Sequence, residues 1–161
     1  MSFDIFLQKF KNGSPANVLR SGILALLKSK QYTGPDKFGV YDIQFSDGVS
    51  AEFSAQGLES SGAFTGCAFH IRAFSEQLVE FIFDVARAGN MAVIPTTEDA
   101  IVLLPSEDDK RELPVDVLED FHLILLTSAA ELQLILQQGY AVWSKYREQV
   151  AGGAASKNEP T

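Results

Sequence analysis

Cysteine is almost absent from this chain of 161 residues. Cys67 stands alone, which excludes an intrachain disulfide and a cysteine-based zinc site, and makes a reducing compartment the expectation. Histidine is scarce as well. His70 and His122 lie 52 residues apart, and neither sits at metal-ligand spacing from carboxylates. The glycines are dispersed, and none opens a helix after a strand as a phosphate-binding loop would. No metal and no cofactor are therefore expected. Long apolar runs are missing too. Stretches such as Phe121 to Leu126 fall far short of the roughly 20 residues that span a bilayer. Met1-Ser2-Phe3-Asp4 lacks a basic segment followed by an apolar run, so no signal peptide is expected and a cytoplasmic location is the default.

What remains describes a foldable, acidic chain. Apolar residues make up 46% and charged residues 21%, which excludes disorder as the main state. Twelve phenylalanines promise an aromatic core. The net charge is −8 and unevenly spread. Residues 1–40 hold six bases and two acids, whereas Glu98 to Asp120 holds nine acids and two bases. Such a field repels nucleic acid and anionic membranes and attracts a basic protein, although the same acidity also serves plain solubility.

Periodicity supplies the elements. Phe3 to Phe10 reads as a strand apolar on both faces near its start, hence central, with Asp4, Phe6 and Gln8 opposite Phe3, Ile5 and Leu7. Asn12-Gly13 signals a turn, and Ser14-Pro15 opens a helix over 15–29, with Val18, Leu19, Ile23, Leu26 and Leu27 at helical spacing. Tyr32 to Lys37 reads as a loop. Residues 38–45 and 49–55 flank Asp47-Gly48 as a β-hairpin with a type I′ turn. One hairpin face carries Tyr41, Ile43, Phe45, Val49, Ala51 and Phe53, and the other carries Asp42, Gln44, Ser50, Glu52 and Ser54.

A strand over 64–73 follows, with Cys67, Phe69 and Ile71 on one side and Ala68, His70 and Arg72 on the other. Ser75 caps a helix that Gly89 ends. Residues 91–94 and 101–104 are short strands, 106–112 an acidic loop, Pro114 the start of a short turn, and 121–126 a further strand. Ser128 to Glu131 is a capping box opening a long helix with Leu132, Ile135, Leu136, Tyr140, Trp143 and Tyr146 on its stripe and a bend available at Gly139. Residues 151–161 are expected to form a disordered tail behind a single domain of residues 1–150. The order β-α-β-β-β-α-β-β-β-α predicts an α+β fold: a mixed, largely antiparallel sheet with helices packed mainly on one face.

No constellation of catalytic type emerges. Cys67 and His70 differ by three positions on one strand and point to opposite faces, so they do not form a nucleophile and base. His70 and Arg72 do share a face. If their strand pairs with 49–55, then Asp42 and Glu52 join them in a mixed-charge patch. That patch is either an ordinary solvated face with weak cross-strand ion pairs or a recognition surface. The acids Glu98, Asp99, Glu107, Asp108, Asp109 and Glu112, within the segment Glu98 to Asp120, make the candidate contact surface for a basic partner. His122, between Phe121 and Leu123, reads as structural.

Three segments carry a resemblance. They are Met1 to Phe10 (MSFDIFLQKF), Tyr32-Thr33-Gly34-Pro35-Asp36, and Phe64 to Arg72 (FTGCAFHIR). They resemble a group of small bacterial proteins of about this length, and similar small acidic α+β proteins include immunity partners of secreted toxins. The resemblance covers most of residues 1–150 and transfers no catalytic role to any residue. It implies a non-catalytic protein that neutralises a basic toxin domain by direct binding. The alternative is a small enzyme or ligand-binding domain using the face around His70 and Arg72.

Overall fold

The computed structural model describes residues 3–97 and 99–139, together with Lys145 and Glu148. The expected α+β class holds. β1 (Phe3–Gln8) leads into a two-stranded ribbon of β2 (Phe10–Lys11) and β3 (Ser14–Pro15), then α1 (Arg20–Lys28). β4 (Gln31–Thr33), β5 (Val40–Gln44), β6 (Ser50–Ser54) and β7 (Gly66–Ile71) precede α2 (Glu76–Gly89). β8 (Ala92–Pro95) and β9 (Ile101–Leu104) are followed by a 3-10 helix (Glu107–Glu112), α3 (Val115–Asp120), β10 (His122–Leu125) and α4 (Ala129–Gln138). Eight strands form one sheet in the order β10-β9-β8-β1-β7-β6-β5-β4, antiparallel throughout except for the parallel β9–β10 pair. β1 is central, as its two-sided apolar start implies.

Five local expectations are corrected, the first being that Tyr32 and Thr33, read as the start of a loop, belong to β4 and pair with Ile43 and Asp42 of β5. Helix one starts at Arg20 rather than Pro15. The Asn12-Gly13 turn, both residues at positive φ, folds the chain back so that Phe10 pairs with Pro15 and the Ala16 N–H reaches the Lys9 carbonyl. The turn thereby outcompetes the Ser14 cap, and Leu19, placed on the apolar stripe by periodicity, is 75% exposed. The hairpin turn is not type I′. Only Gly48 has positive φ, and the loop is three residues long, closed by the Gly48 N–H on the Phe45 carbonyl. Asn90, not Gly89, takes the left-handed cap of α2. The segments read as an acidic loop and a turn are the 3-10 helix and α3.

The caps at Ser75 and Ser128 form as expected, accepting from the N–H of Leu78 at 3.2 Å and of Glu131 at 3.1 Å. α4 runs to Gln138 with Gly139 at φ +88 as its C-cap, and Tyr140, Trp143, Tyr146 and the tail of 151–161 lie outside the described residues.

One face of the sheet carries the main core beneath α1, α2 and α4. Ile5, Leu7, Ile43, Phe53, Phe69 and Ile71 from the strands meet Leu78, Phe81, Ile82 and Val85 of α2. Phe53 stacks on Phe69 at 4.7 Å between ring centroids, and Phe81 meets both edge-on at 6.0 and 5.8 Å. Such pairs contribute roughly 0.5–1.5 kcal/mol each beyond simple burial. The opposite face divides in two. Over β8 and β9, a second cluster of Ala92, Val102, Leu104 and Leu113 is completed by Val117, Phe121 and Leu123, so the 3-10 helix and α3 cap this end. Over β5, β6 and β7 the same face is bare of any element among the described residues.

Candidate functional site

The bare region is a row of polar side chains set by strand register. Asp42 stands opposite Glu52, Glu52 opposite His70, and His70 opposite Asp4. Alternation explains the row. Each of these residues lies between core residues of its own strand, so packing one face of β1, β5, β6 and β7 forces all four onto the other. Ser50 and Arg72 complete the lining of a shallow open basin of about 510 Å³. A second hollow, lined by Thr33, Gly34, Pro35, Asp36 and Val40, shares Asp42 and Glu52 with it and carries the depression to the β4 edge.

The hydrogen-bond pattern sharpens the geometry. The Phe45 N–H donates to the Val49 carbonyl, and the Ala55 N–H to the Gly39 carbonyl. Hydrogen-bonded pairs in an antiparallel ladder recur every second residue, so Asp42 and Glu52 fall at a non-hydrogen-bonded pair, where facing side chains come closest. Like charges directly opposite destabilise a sheet. Among the described residues no cation is placed within ion-pair distance of either carboxylate. His70 differs: its Nδ1 lies 2.8 Å from the Asp4 Oδ1, a half-exposed pair that leaves Nε2 as the ring's second hydrogen-bonding atom. Arg72 makes no ion pair with a described residue.

Asp42, Glu52, His70 and Arg72, expected to share a face, are brought together. Asp4 is the member that sequence reasoning missed. Its alternation placed it opposite Ile5, but nothing in the sequence paired β1 with β7. The acidic segment does not join this group. Glu107 pairs with Lys110 and Asp108 with Arg111, both at 2.9 Å. Glu112 clamps the ribbon turn: its Oε2 accepts from the Asn12 N–H at 2.8 Å and its carbonyl from the Gly13 N–H at 2.9 Å. The Asp109 Oδ1 accepts from Asn90 Nδ2 at 3.0 Å, while its Oδ2 is buried with no hydrogen-bond partner among the described residues. Burial pushes the Asp109 carboxyl above its ordinary range, against the opposing pull of the Asn90 and Ser106 hydrogen bonds. The Asp99 carbonyl accepts from the Thr97 hydroxyl, and Glu98 lies outside the described residues.

Nothing in this arrangement activates a nucleophile. Cys67 is buried beside Leu7 and Phe69, and desolvation drives its thiol far above the usual range, so it stays protonated. Among the described residues no group of three or more histidine, cysteine, aspartate and glutamate side chains is placed to hold a metal ion, and no helix is long and apolar enough to cross a membrane. His122 is exposed at the start of β10. In comparisons with known proteins, no family model, no curated protein and no solved structure matches the chain.

Proposed function

We propose that this protein is a non-catalytic binding module whose open sheet face receives a cationic segment of a protein partner. The observation that carries the proposal is the direct opposition of Asp42 and Glu52 on an exposed face. Two carboxylates facing each other cost the isolated fold stability, and an arginine or lysine laid across them turns that cost into a charge-assisted contact. Arg72 and His70 in the same lining add donors for acceptors on the same partner and restrict which cation fits. Steering by the net charge of −8 raises the encounter rate with a basic molecule. A toxin-neutralising role of the immunity type, implied by the resemblance of three sequence segments, fits this chemistry because such a protein needs a complementary surface and no reactive group.

The test is capture from the native host with wild type and with the Asp42→Asn/Glu52→Gln double variant as bait. A basic protein held by wild type and released by the variant supports the proposal. A partner held equally by both, or turnover of a substrate by the purified protein, overturns it. The alternative of a small ligand at this face is favoured by the mixed lining of the basin, where Arg72 stands beside three carboxylates. A metabolite panel that shifts the melting temperature of wild type, but not of His70→Ala/Arg72→Ala, would select it.

A further inference from the structure

The two edges of the eight-stranded sheet are finished differently. β4 is only three residues long, preceded by Lys30 and followed by Pro35 and Lys37. Short length, lysine and proline all discourage another strand from adding at an edge. β10, itself only four residues long, carries neither lysine nor proline: its residues are His122, Leu123, Ile124 and Leu125. Among the described residues β10 pairs with β9 alone. The N–H groups of His122 and Leu126 donate to the carbonyls of Ala100 and Leu104. The two-residue repeat of the ladder turns Ile124 toward β9 as well, and directs the backbone groups of Leu123 and Leu125 off the edge. Exposed apolar side chains occur on β10 and on the helix that precedes it in the chain. Of six exposed large hydrophobics among the described residues, three belong to α3 or β10: Val115 at 67%, Leu118 at 41% and Leu125 at 39%.

We infer that β10 pairs antiparallel with β10 of a second copy, forming a twofold dimer whose sheet runs through both molecules. The strand is self-complementary in this register. With Ile124 on the axis, the outward-facing backbones of Leu123 and Leu125 meet those of the partner's Leu125 and the partner's Leu123. Each leucine side chain then faces a leucine, and the apolar cluster beneath α3 becomes continuous across the junction. The stretch His122–Leu126 contains no acid, so no like charges oppose each other within it. One strand pair with a small apolar rim is a small interface, of the size found in weak, reversible association. Because each copy carries −8, added salt strengthens the dimer, the opposite of its effect on a cationic partner at the polar face.

Sedimentation equilibrium between about 1 and about 100 μM tests this, since a weak, reversible dimer fills across that range. The expected result is a rise toward twice the monomer mass, with Leu125→Lys weakening association at least about tenfold by placing a charge at the junction. Leu125→Pro, which removes an outward N–H and leaves the β9 ladder intact, is expected to do the same, provided circular dichroism shows it folded. Amide exchange at Leu123 and Leu125 should slow on dimerisation. A monomer at all concentrations, or a dimer indifferent to Leu125→Lys, overturns the inference.

Discussion

At one end of the outer sheet face, the 3-10 helix and α3 lie over β8, β9 and β10 and seal Val102 and Leu104 from water. A few strands away, the same face offers Asp42, Glu52, His70 and Asp4 to solvent. Both regions are built on the same alternation, and the side chains that alternation turns outward make the difference. Where they are valine and leucine, the chain adds a 3-10 helix and a short α-helix to cover them. Where they are charged, no element among the described residues covers them. The uncovered end also tolerates a like-charge opposition that the covered end nowhere contains. The proposed binding role rests on that contrast.

Substitutions at the two ends should separate the regions by size and by sign. At the covered end, Leu104→Ala removes a side chain that is 1% exposed and should cost about 2–5 kcal/mol in urea unfolding. A loss under about 0.5 kcal/mol would mean that α3 does not seal this end. At the open end, Asp42→Asn removes the opposition to Glu52 and should raise stability by about 0.2–1 kcal/mol, with the gain fading in roughly 1 M salt. Destabilisation by this change would show that Asp42 supports the isolated fold after all.

The smallest effect belongs to the acid that the cover itself buries. The carboxyl of Asp109 titrates above its ordinary 3.8 because burial favours the neutral form. The stability it contributes is therefore fullest below that value and declines as pH rises through the folded-state value. Relative to Asp109→Asn, wild type should lose stability as pH rises through the folded-state value, by a small amount because water partly screens the group. A difference that is flat or opposite in pH would remove Asp109 from the buried edge of the cover.

The sheet and its faces were legible in the sequence wherever alternation was strict. The Tyr41-Ile43-Phe45 and Cys67-Phe69-Ile71 sets assigned inside and outside without ambiguity, and His70 and Arg72 shared a face as expected. The failures came where two local signals competed. Ser14-Pro15 is a sound helix start, yet Asn12-Gly13 is a stronger turn, and the turn prevailed once the Glu112 carboxylate and carbonyl bonded its backbone from 100 residues away. Neither that partner nor the pairing that carries Asp4 to His70 leaves a local trace. The acidic segment was legible as charge but not as structure, because the i,i+3 pairs and the Asn90 contact that absorb part of it depend on the 3-10 helix. Asp4, absent from the expected site, needed the β1–β7 register to be recognised.

The central claim is that the uncovered face, and not the acidic segment, is where a cationic partner binds. An amide chemical-shift titration with a short arginine–glycine repeat peptide at low salt tests it most directly. Binding at the uncovered face gives shifts centred on Asp4, Asp42, Glu52, His70 and Arg72 that collapse on adding salt. Shifts centred on Glu107 to Glu112, with the sheet face unmoved, would contradict it.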